Sequence, residues 1–202
     1  MYWRPDRVIC EYNVGGVSIR EDKFISTNNV ACSIITSSSP IQIQFNGQSY
    51  VNNARSRVRS STVSYDNTNN LVHVVEGGTA LVQPTEGVDV EGKLMYDGMS
   101  TVVSASKNFA STYTAFRDGN GRQQYSFTVP CDSQGVSVCW AMADVFDDAR
   151  SRVQSVLKDP AGQLAAKKVY MNDLLNSQVP YFRCSDQQMV NVYYHYKVTD
   201  EK

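Results

Sequence analysis

Alternation of apolar and polar residues predicts short β-strands over residues 1–143. Ile41, Ile43 and Phe45 alternate with polar side chains, and this period of two is typical of a strand with one buried and one wet face. Glycine, asparagine, aspartate and proline separate the apolar runs, and Gly15 with the glycine after it marks a tight hairpin turn. About ten such strands predict a mainly β protein, built as an antiparallel β-sandwich.

Two stretches define the predicted sandwich more closely. The run Val136–Met142 is apolar almost without interruption, which predicts a central strand covered on both faces. Residues 113–129 form the clearest hairpin, with its turn around Asp118. The predicted strands are 7–14, 17–26, 30–36, 41–46, 62–65, 71–75, 80–82, 94–96, 100–104, 113–116, 124–129 and 136–142.

After residue 143 the apolar spacing changes to that of helices. Asp144 is predicted to cap a first helix, and Pro160 suits the first turn of a second. The apolar face of the first helix is predicted to comprise Val145, Ala149, Val153, Val156 and Leu157. That of the second is predicted to comprise Leu164, Met171, Leu174 and Leu175. Pro180 excludes the α conformation at the residue before it and ends the second helix.

A third helix, capped by Ser185 or Asp186, is predicted close to the end of the sequence. It is apolar nearly all round, through Met189, Val190, Val192, Tyr193, Tyr194 and Tyr196. Such a helix is normally buried on every side, and one sandwich face with two helices cannot cover it. The sequence therefore predicts self-association, or fraying, through residues 186–196.

Three collinear motifs carry a resemblance to a known family. The run Val179-Pro-Tyr-Phe-Arg-Cys-Ser-Asp186 followed by Val190-Asn-Val-Tyr-Tyr194 resembles the start of the helical barrel in six-hairpin glycosidases. The resemblance is to the branch with a β-sandwich ahead of the barrel, as in mannosylglycerate hydrolases. It extends through Val90-Glu-Gly-Lys-Leu-Met-Tyr-Asp-Gly-Met99 and Val14-Gly-Gly-Val-Ser-Ile-Arg-Glu-Asp-Lys-Phe24.

The resemblance implies three parts and a division of labour between them. Residues 1–143 would be a β-sandwich that lacks its first strands, 144–180 a helical linker, and 181–202 the truncated first helix of the catalytic barrel. In the family both catalytic carboxylates come from the barrel, so no residue of this chain inherits a catalytic role. The expectation is a non-catalytic fragment of a glycoside hydrolase that supports a barrel missing from this chain.

Five residues are candidates for contact with substrate or with the barrel. Tyr96 and Asp97 combine an aromatic ring and a carboxylate beside flexible glycine, as sugar contacts often do. On the resemblance, Tyr181, Phe182 and Arg183 face the position of the barrel. The favoured interpretation is that all five pack the interface between sandwich and barrel.

A second hypothesis is a free-standing carbohydrate-binding module, and a third is a structural or oligomerising sandwich. A carbohydrate-binding module would need exposed aromatic rings that stack on sugar faces. Burial of both Tyr96 and Trp140 would count against it.

Composition excludes several other classes. The net charge of −1 attracts neither nucleic acid nor an anionic membrane, and no apolar run approaches the roughly 20 residues of a membrane span. Five cysteines without a CxxC spacing argue against a disulfide framework and a zinc site. No cofactor is expected. The N-terminus lacks the apolar core of a signal peptide, so a soluble protein is expected, and its compartment stays open.

Several polar clusters have plain structural interpretations. Arg55, with two further arginines at i+2 and i+4, fits a solvated loop better than a phosphate site. The run from Asp118 fits a hairpin turn better than a calcium loop, since the later acidic ligands are missing. Asp144 and two aspartates after it fit a helix start better than a metal site. His73 and His195 have no nucleophile advertised beside them.

Overall fold

The structure, a computed structural model, describes residues 1–49, 60–77, 99–115, 123–177 and 182–200. These residues form eleven strands and three helices, and the predicted fold class is confirmed. The strands are β1 (Tyr2–Arg4), β2 (Arg7–Val14), β3 (Val17–Ile25), β4 (Ala31–Ser37), β5 (Ile41–Gln48), β6 (Ser60–Asp66), β7 (Leu71–Gly77), β8 (Met99–Ala105), β9 (Ser111–Ala115), β10 (Gln124–Cys131) and β11 (Val136–Ala143). The helices are α1 (Phe146–Lys158), α2 (Pro160–Ser177) and α3 (Gln187–Asp200). The predicted strands 80–82 and 94–96 lie outside the described residues.

The strands form two antiparallel sheets. The large sheet has eight strands in the order β1-β2-β3-β4-β11-β8-β7-β6, and the small sheet has three in the order β5-β10-β9. Distant parts of the chain meet in both sheets, since β11 lies between β4 and β8 and β10 lies between β5 and β9. The second hairpin strand of the predicted 113–129 unit is thus the centre of the small sheet.

The core between the two sheets is built from the alternating positions of both. Phe127 on β10 is 2% exposed, and its ring stacks on Phe45 with 5.2 Å between centroids and contacts Phe109 at 4.5 Å. From the large sheet, Val103 and Val138 pack against this aromatic group. Burial of each large apolar side chain contributes about 1.5–3 kcal/mol. The apolar residues at every second position of these strands face inward, and their burial holds the two sheets together.

A second core lies on the opposite face of the large sheet, under α1. Ala149, Val153 and Val156 follow one another at helical spacing and are fully buried. They pack against Cys139 on β11 and Val102 on β8. The middle of the large sheet is therefore covered on both faces, by the small sheet on one side and by α1 on the other.

The start of α1 corrects one prediction. The N-cap position is Val145, in an extended conformation and without a side-chain capping bond, so Asp144 does not cap this helix. Asp147 and Asp148 lie in the first turn, where negative charge is favoured by the helix dipole. Val145 itself is exposed rather than part of the apolar face.

The coverage of β11 is also narrower than predicted. Val136 and Val138 are buried on the small-sheet side, but Trp140 and Met142, which share that side by the period of two, are 37% and 51% exposed. Because the small sheet covers only one end of β11, the prediction of full coverage holds for the first half of the strand and is wrong for the second.

A backbone turn between β10 and β11 depends on Gly135. This residue has φ +80°, and a Cβ atom there would lie 2.7 Å from the carbonyl oxygen of Ile35. Gly16 has φ +82° with no atom within 4 Å of such a Cβ. Both positions thus require a positive φ, and a side chain at position 135 would also clash with the backbone.

Alanine substitution at these glycines should separate the two costs. Gly16→Ala should destabilise the protein by about 1–2 kcal/mol, the cost of a left-handed residue with a side chain. Gly135→Ala should cost about 1–3 kcal/mol more, because a crowded site must also shift. Urea denaturation of both variants measures the difference, and equal losses would contradict the assigned clash.

Candidate functional site

The five predicted site residues fall into two groups. Tyr96, Asp97 and Tyr181 lie outside the described residues. Phe182 packs its ring on Tyr193 of α3, with 4.8 Å between centroids, and Arg183 is exposed. The aromatic linker residue therefore joins α3, and a contact of these five residues with substrate or barrel stays a prediction.

The start of α3 follows the prediction from its capping residue. Asp186 Oδ1 accepts hydrogen bonds from the backbone N–H groups of Gln188, at 2.8 Å, and Met189, at 3.4 Å. These bonds satisfy donors that the first helical turn leaves free. The cap at the beginning of this helix is therefore local in sequence, as the prediction of Ser185 or Asp186 required.

Large apolar side chains on α2 and α3 face solvent. Met189 and Val192 on α3 are 58% and 52% exposed, and Val169 and Tyr170 on α2 are exposed to a similar degree. Met171 is the one residue of α2 that is fully buried, and α3 makes few contacts with the other elements described. We call these four exposed residues the apolar helical residues. Exposed apolar side chains of this size are candidates for contact with a partner.

A second exposed apolar region lies at the uncovered end of the large sheet. Trp140 pairs with Ala31, which in turn pairs with Ile25, so the three form one cross-strand row. Ile25 is about as exposed as Met142, the next residue on this face of β11. The exposure of Trp140 removes one of the two observations that would have counted against a carbohydrate-binding module, and Tyr96 lies outside the described part.

His73 is a structural residue beneath α1. Its ring contacts the ring of Phe146 at 4.3 Å between centroids, and its Nε2 lies 3.2 Å from the hydroxyl of Ser100. Ser100 is 7% exposed, so the contact of the two side chains is largely shielded from solvent. Burial lowers the pKa of His73 and favours the neutral ring.

The cysteines are free thiols, and four of the five are buried. Cys139 Sγ donates to Cys32 Sγ across β4 and β11 at 2.8 Å. That hydrogen bond, together with burial, raises the pKa of Cys139 far above the range of a reactive thiolate. These thiols therefore act as small core residues, as predicted for Cys10, Cys32 and Cys139.

Among the described residues, no group of three or more His, Cys, Asp or Glu side chains could hold a metal ion. In α1, Asp147 pairs with Arg150 at 3.2 Å and Asp148 with Arg152 at 3.4 Å. These ion pairs within one helix agree with the interpretation of the aspartates as a helix start. The run from Asp118 and the arginines at 55–59 lie outside the described residues. No helix in the described part is long and apolar enough to cross a membrane.

Sequence reasoning missed a surface on the outer face of the small sheet. The alternation in β5 predicted a solvent-exposed face. The sequence Ile-Gln-Ile-Gln-Phe-Asn-Gly-Gln shows that the side chains on this face are amides. The wet positions carry side-chain amides, and they line a shallow groove of about 450 Å³. The pairing of β5 with β10, which completes the groove, could not be known from either segment alone.

Comparison with known proteins finds partial structural alignments at low sequence identity. No model of a known protein family matches this sequence, and no curated protein matches it. Among solved structures, a protein described as a kojibiose phosphorylase from the human microbiome aligns with 84% of this chain, at TM-score 0.46 and 9% identity. A family GH92 inverting mannosidase from Bacteroides thetaiotaomicron aligns with 82%, at TM-score 0.44 and 9% identity. The chain spans 23% and 21% of the length of these proteins.

The partly buried His73 should make stability depend on pH. Its pKa in the folded protein lies below the ordinary 6.5, so between those two values the unfolded chain binds more protons. Stability should be full above about pH 6.5 and should fall as the pH drops towards the lowered value. Urea midpoints at pH 7.5 and 5.5 should differ less in His73→Gln than in the unchanged protein. The control is His195→Gln, and an equal pH difference in all three proteins would contradict the assignment.

Proposed function

We propose that this chain is a non-catalytic β-sandwich unit of a glycoside hydrolase, and that α2 and α3 attach it to a helical catalytic domain. The exposure of Met189 and Val192 on α3 is the observation that carries the proposal. The six-hairpin glycosidase motifs around Pro180 and Val190 supply the class of partner. The substrate of the assembled enzyme would then be the glycosidic bond of a carbohydrate.

The energy available at the helices supports a docking role. Burial of one large apolar side chain contributes about 1.5–3 kcal/mol, so covering Met189 and Val192 would contribute several kcal/mol to binding. An isolated helix as short as α3 is marginal in water, and most helical stability comes from packing of an apolar face. A helical partner would provide that packing.

The five predicted site residues would lie at or near the interface with the catalytic domain. Phe182 contacts α3 directly, so a partner that covers α3 would also meet the linker around Arg183. Tyr181 precedes them in the sequence, and Tyr96 and Asp97 would contribute either to the same interface or to the sugar. None of the five would act as the catalytic acid, base or nucleophile.

Carbohydrate binding without catalysis is the second candidate function, and Trp140 favours it to a limited extent. Its ring is partly exposed, as stacking on a sugar would require. Its neighbours on that face are Met142 and Ile25, which offer no hydrogen bonds to hydroxyl groups. The polar groups that a sugar needs are concentrated elsewhere on the sandwich.

Deletion of residues 185–202 should test the docking role. The shortened protein should be more soluble and more monodisperse than the full chain, because it no longer exposes Met189 and Val192. Its urea unfolding midpoint should be unchanged, since the sandwich core does not include α3. Size-exclusion chromatography with light scattering gives the association state of each protein.

Point variants provide the matched control. Met189→Ser with Val192→Ser should reduce self-association as the deletion does, whereas Gln188→Ser on the same helix should not. A deletion that unfolds the sandwich would place α3 in its core and contradict the proposal. Turnover of aryl glycosides that is lost on substitution of this chain's own carboxylates would contradict the non-catalytic role.

A further inference from the structure

The outer face of the small sheet is polar and carries no charge. None of the residues in β5, β9 and β10 is Asp, Glu, Lys or Arg, although 19% of the chain is charged. Solvated sheet faces commonly use such charges to keep sheet edges apart. The small sheet instead presents amides and hydroxyls together with one exposed aromatic ring.

The register places these groups side by side. Ser126 on β10 lies opposite Asn46 on β5 and Tyr113 on β9. Gln48 and Gln124 form the next pair along the strands. The groove of about 450 Å³ is lined by Gln44, Asn46, Gln48, Tyr113, Gln124 and Ser126. Its size lies within the range of about 300–1,000 Å³ that is typical of small-ligand sites.

The floor of this groove is held in place from the buried side. Tyr65 Oη lies within hydrogen-bond distance of the carbonyl oxygens of Tyr113, at 2.7 Å, and Ser126, at 3.1 Å. The ring of Tyr125 lies across Gly47, where a Cβ atom would meet it. On the outer side, Gln44 Nε2 donates to Asn46 Oδ1 at 3.1 Å. The backbone of this floor is therefore already ordered before a ligand binds, which lowers the entropic cost of binding.

We propose that this face binds an uncharged oligosaccharide. Each sugar hydroxyl both donates and accepts, and each side-chain amide offers donors and an acceptor in return. The ring of Tyr113, 64% exposed at the edge strand, offers a flat apolar surface for the C–H face of a sugar ring. A charged ligand would find no ionic partner in these three strands. The inference shares the carbohydrate chemistry of the proposed function but uses none of its helices.

Titration of the full chain with neutral tetrasaccharides tests the inference. Maltotetraose, cellotetraose and mannotetraose are the probes, and isothermal titration calorimetry with chemical-shift mapping is the measurement. At least one should bind and shift the amide signals of Asn46 and Gln124. Tyr113→Ala should weaken that binding tenfold or more, and Asn46→Ala should weaken it as well.

The controls separate this face from other surfaces. Tyr12→Ala removes another exposed tyrosine, on β2 of the large sheet, and should leave the affinity unchanged. Deletion of 185–202 should also leave the affinity unchanged. The two tests are therefore independent: sugar binding can persist if α3 has no docking role, and α3 can dock a partner if no sugar binds.

Three results would overturn the inference. The first is that none of the three tetrasaccharides binds at millimolar concentration. The second is binding that Tyr113→Ala leaves unchanged. The third is self-association that Tyr113→Ala abolishes without any sugar binding, which would assign the face to a second copy of the chain. Far-UV and near-UV circular dichroism of each variant confirms that the fold is retained.

Discussion

The packing of α1 on the large sheet is the contact on which the rest of the structure depends. Ala149, Val153 and Val156 are fully buried against β8 and β11. Because the small sheet buries part of the other face of those strands, their covered segments must be apolar on both sides. A sheet of eight strands with one face left open would expose a large apolar surface, and α1 is the element that prevents it.

This arrangement divides the molecule into a rigid part and a presented part. Two sheets and α1 form the rigid part, with one core on each face of the large sheet. The presented part is α3 with the exposed side of α2, where Val169, Tyr170, Met189 and Val192 remain in solvent. The sandwich with α1 thus provides stability, and α2 and α3 provide the surface for a partner. Substitutions on the exposed side of α2 and α3 should therefore leave the stability of the sandwich unchanged. The neutral outer face of the small sheet adds a third surface on the rigid part.

Local patterns were sufficient to predict most of the elements, and they failed where distant segments meet. The period of two in β5 and the 3.6-residue spacing in α1 are properties of one segment each, and both were predicted correctly. The cap of α3 was predicted as Ser185 or Asp186, and Asp186 supplies it through bonds that reach only two and three residues ahead. Trp140 was predicted as covered because the extent of the small sheet depends on pairing across the chain.

The candidate site was less predictable for the same reason. The contact of Phe182 with Tyr193 could not be read from the sequence, since it depends on the angle at which the linker enters α3. The amides of β5 became a groove only through β10 and β9. The cap at Asp144 failed because the chain leaves β11 with Val145 still extended, which shifts the first helical turn by one residue.

Native-state hydrogen–deuterium exchange of the full chain tests the division between α1 and α3 most directly. Amides in the interior of α1 should exchange as slowly as those of β8 and β11, since they open only with the whole sandwich. Amides in α3 should exchange far faster, since opening this helix disrupts few contacts. Exchange of α1 as fast as that of α3, or protection of α3 equal to that of β11, would contradict the account.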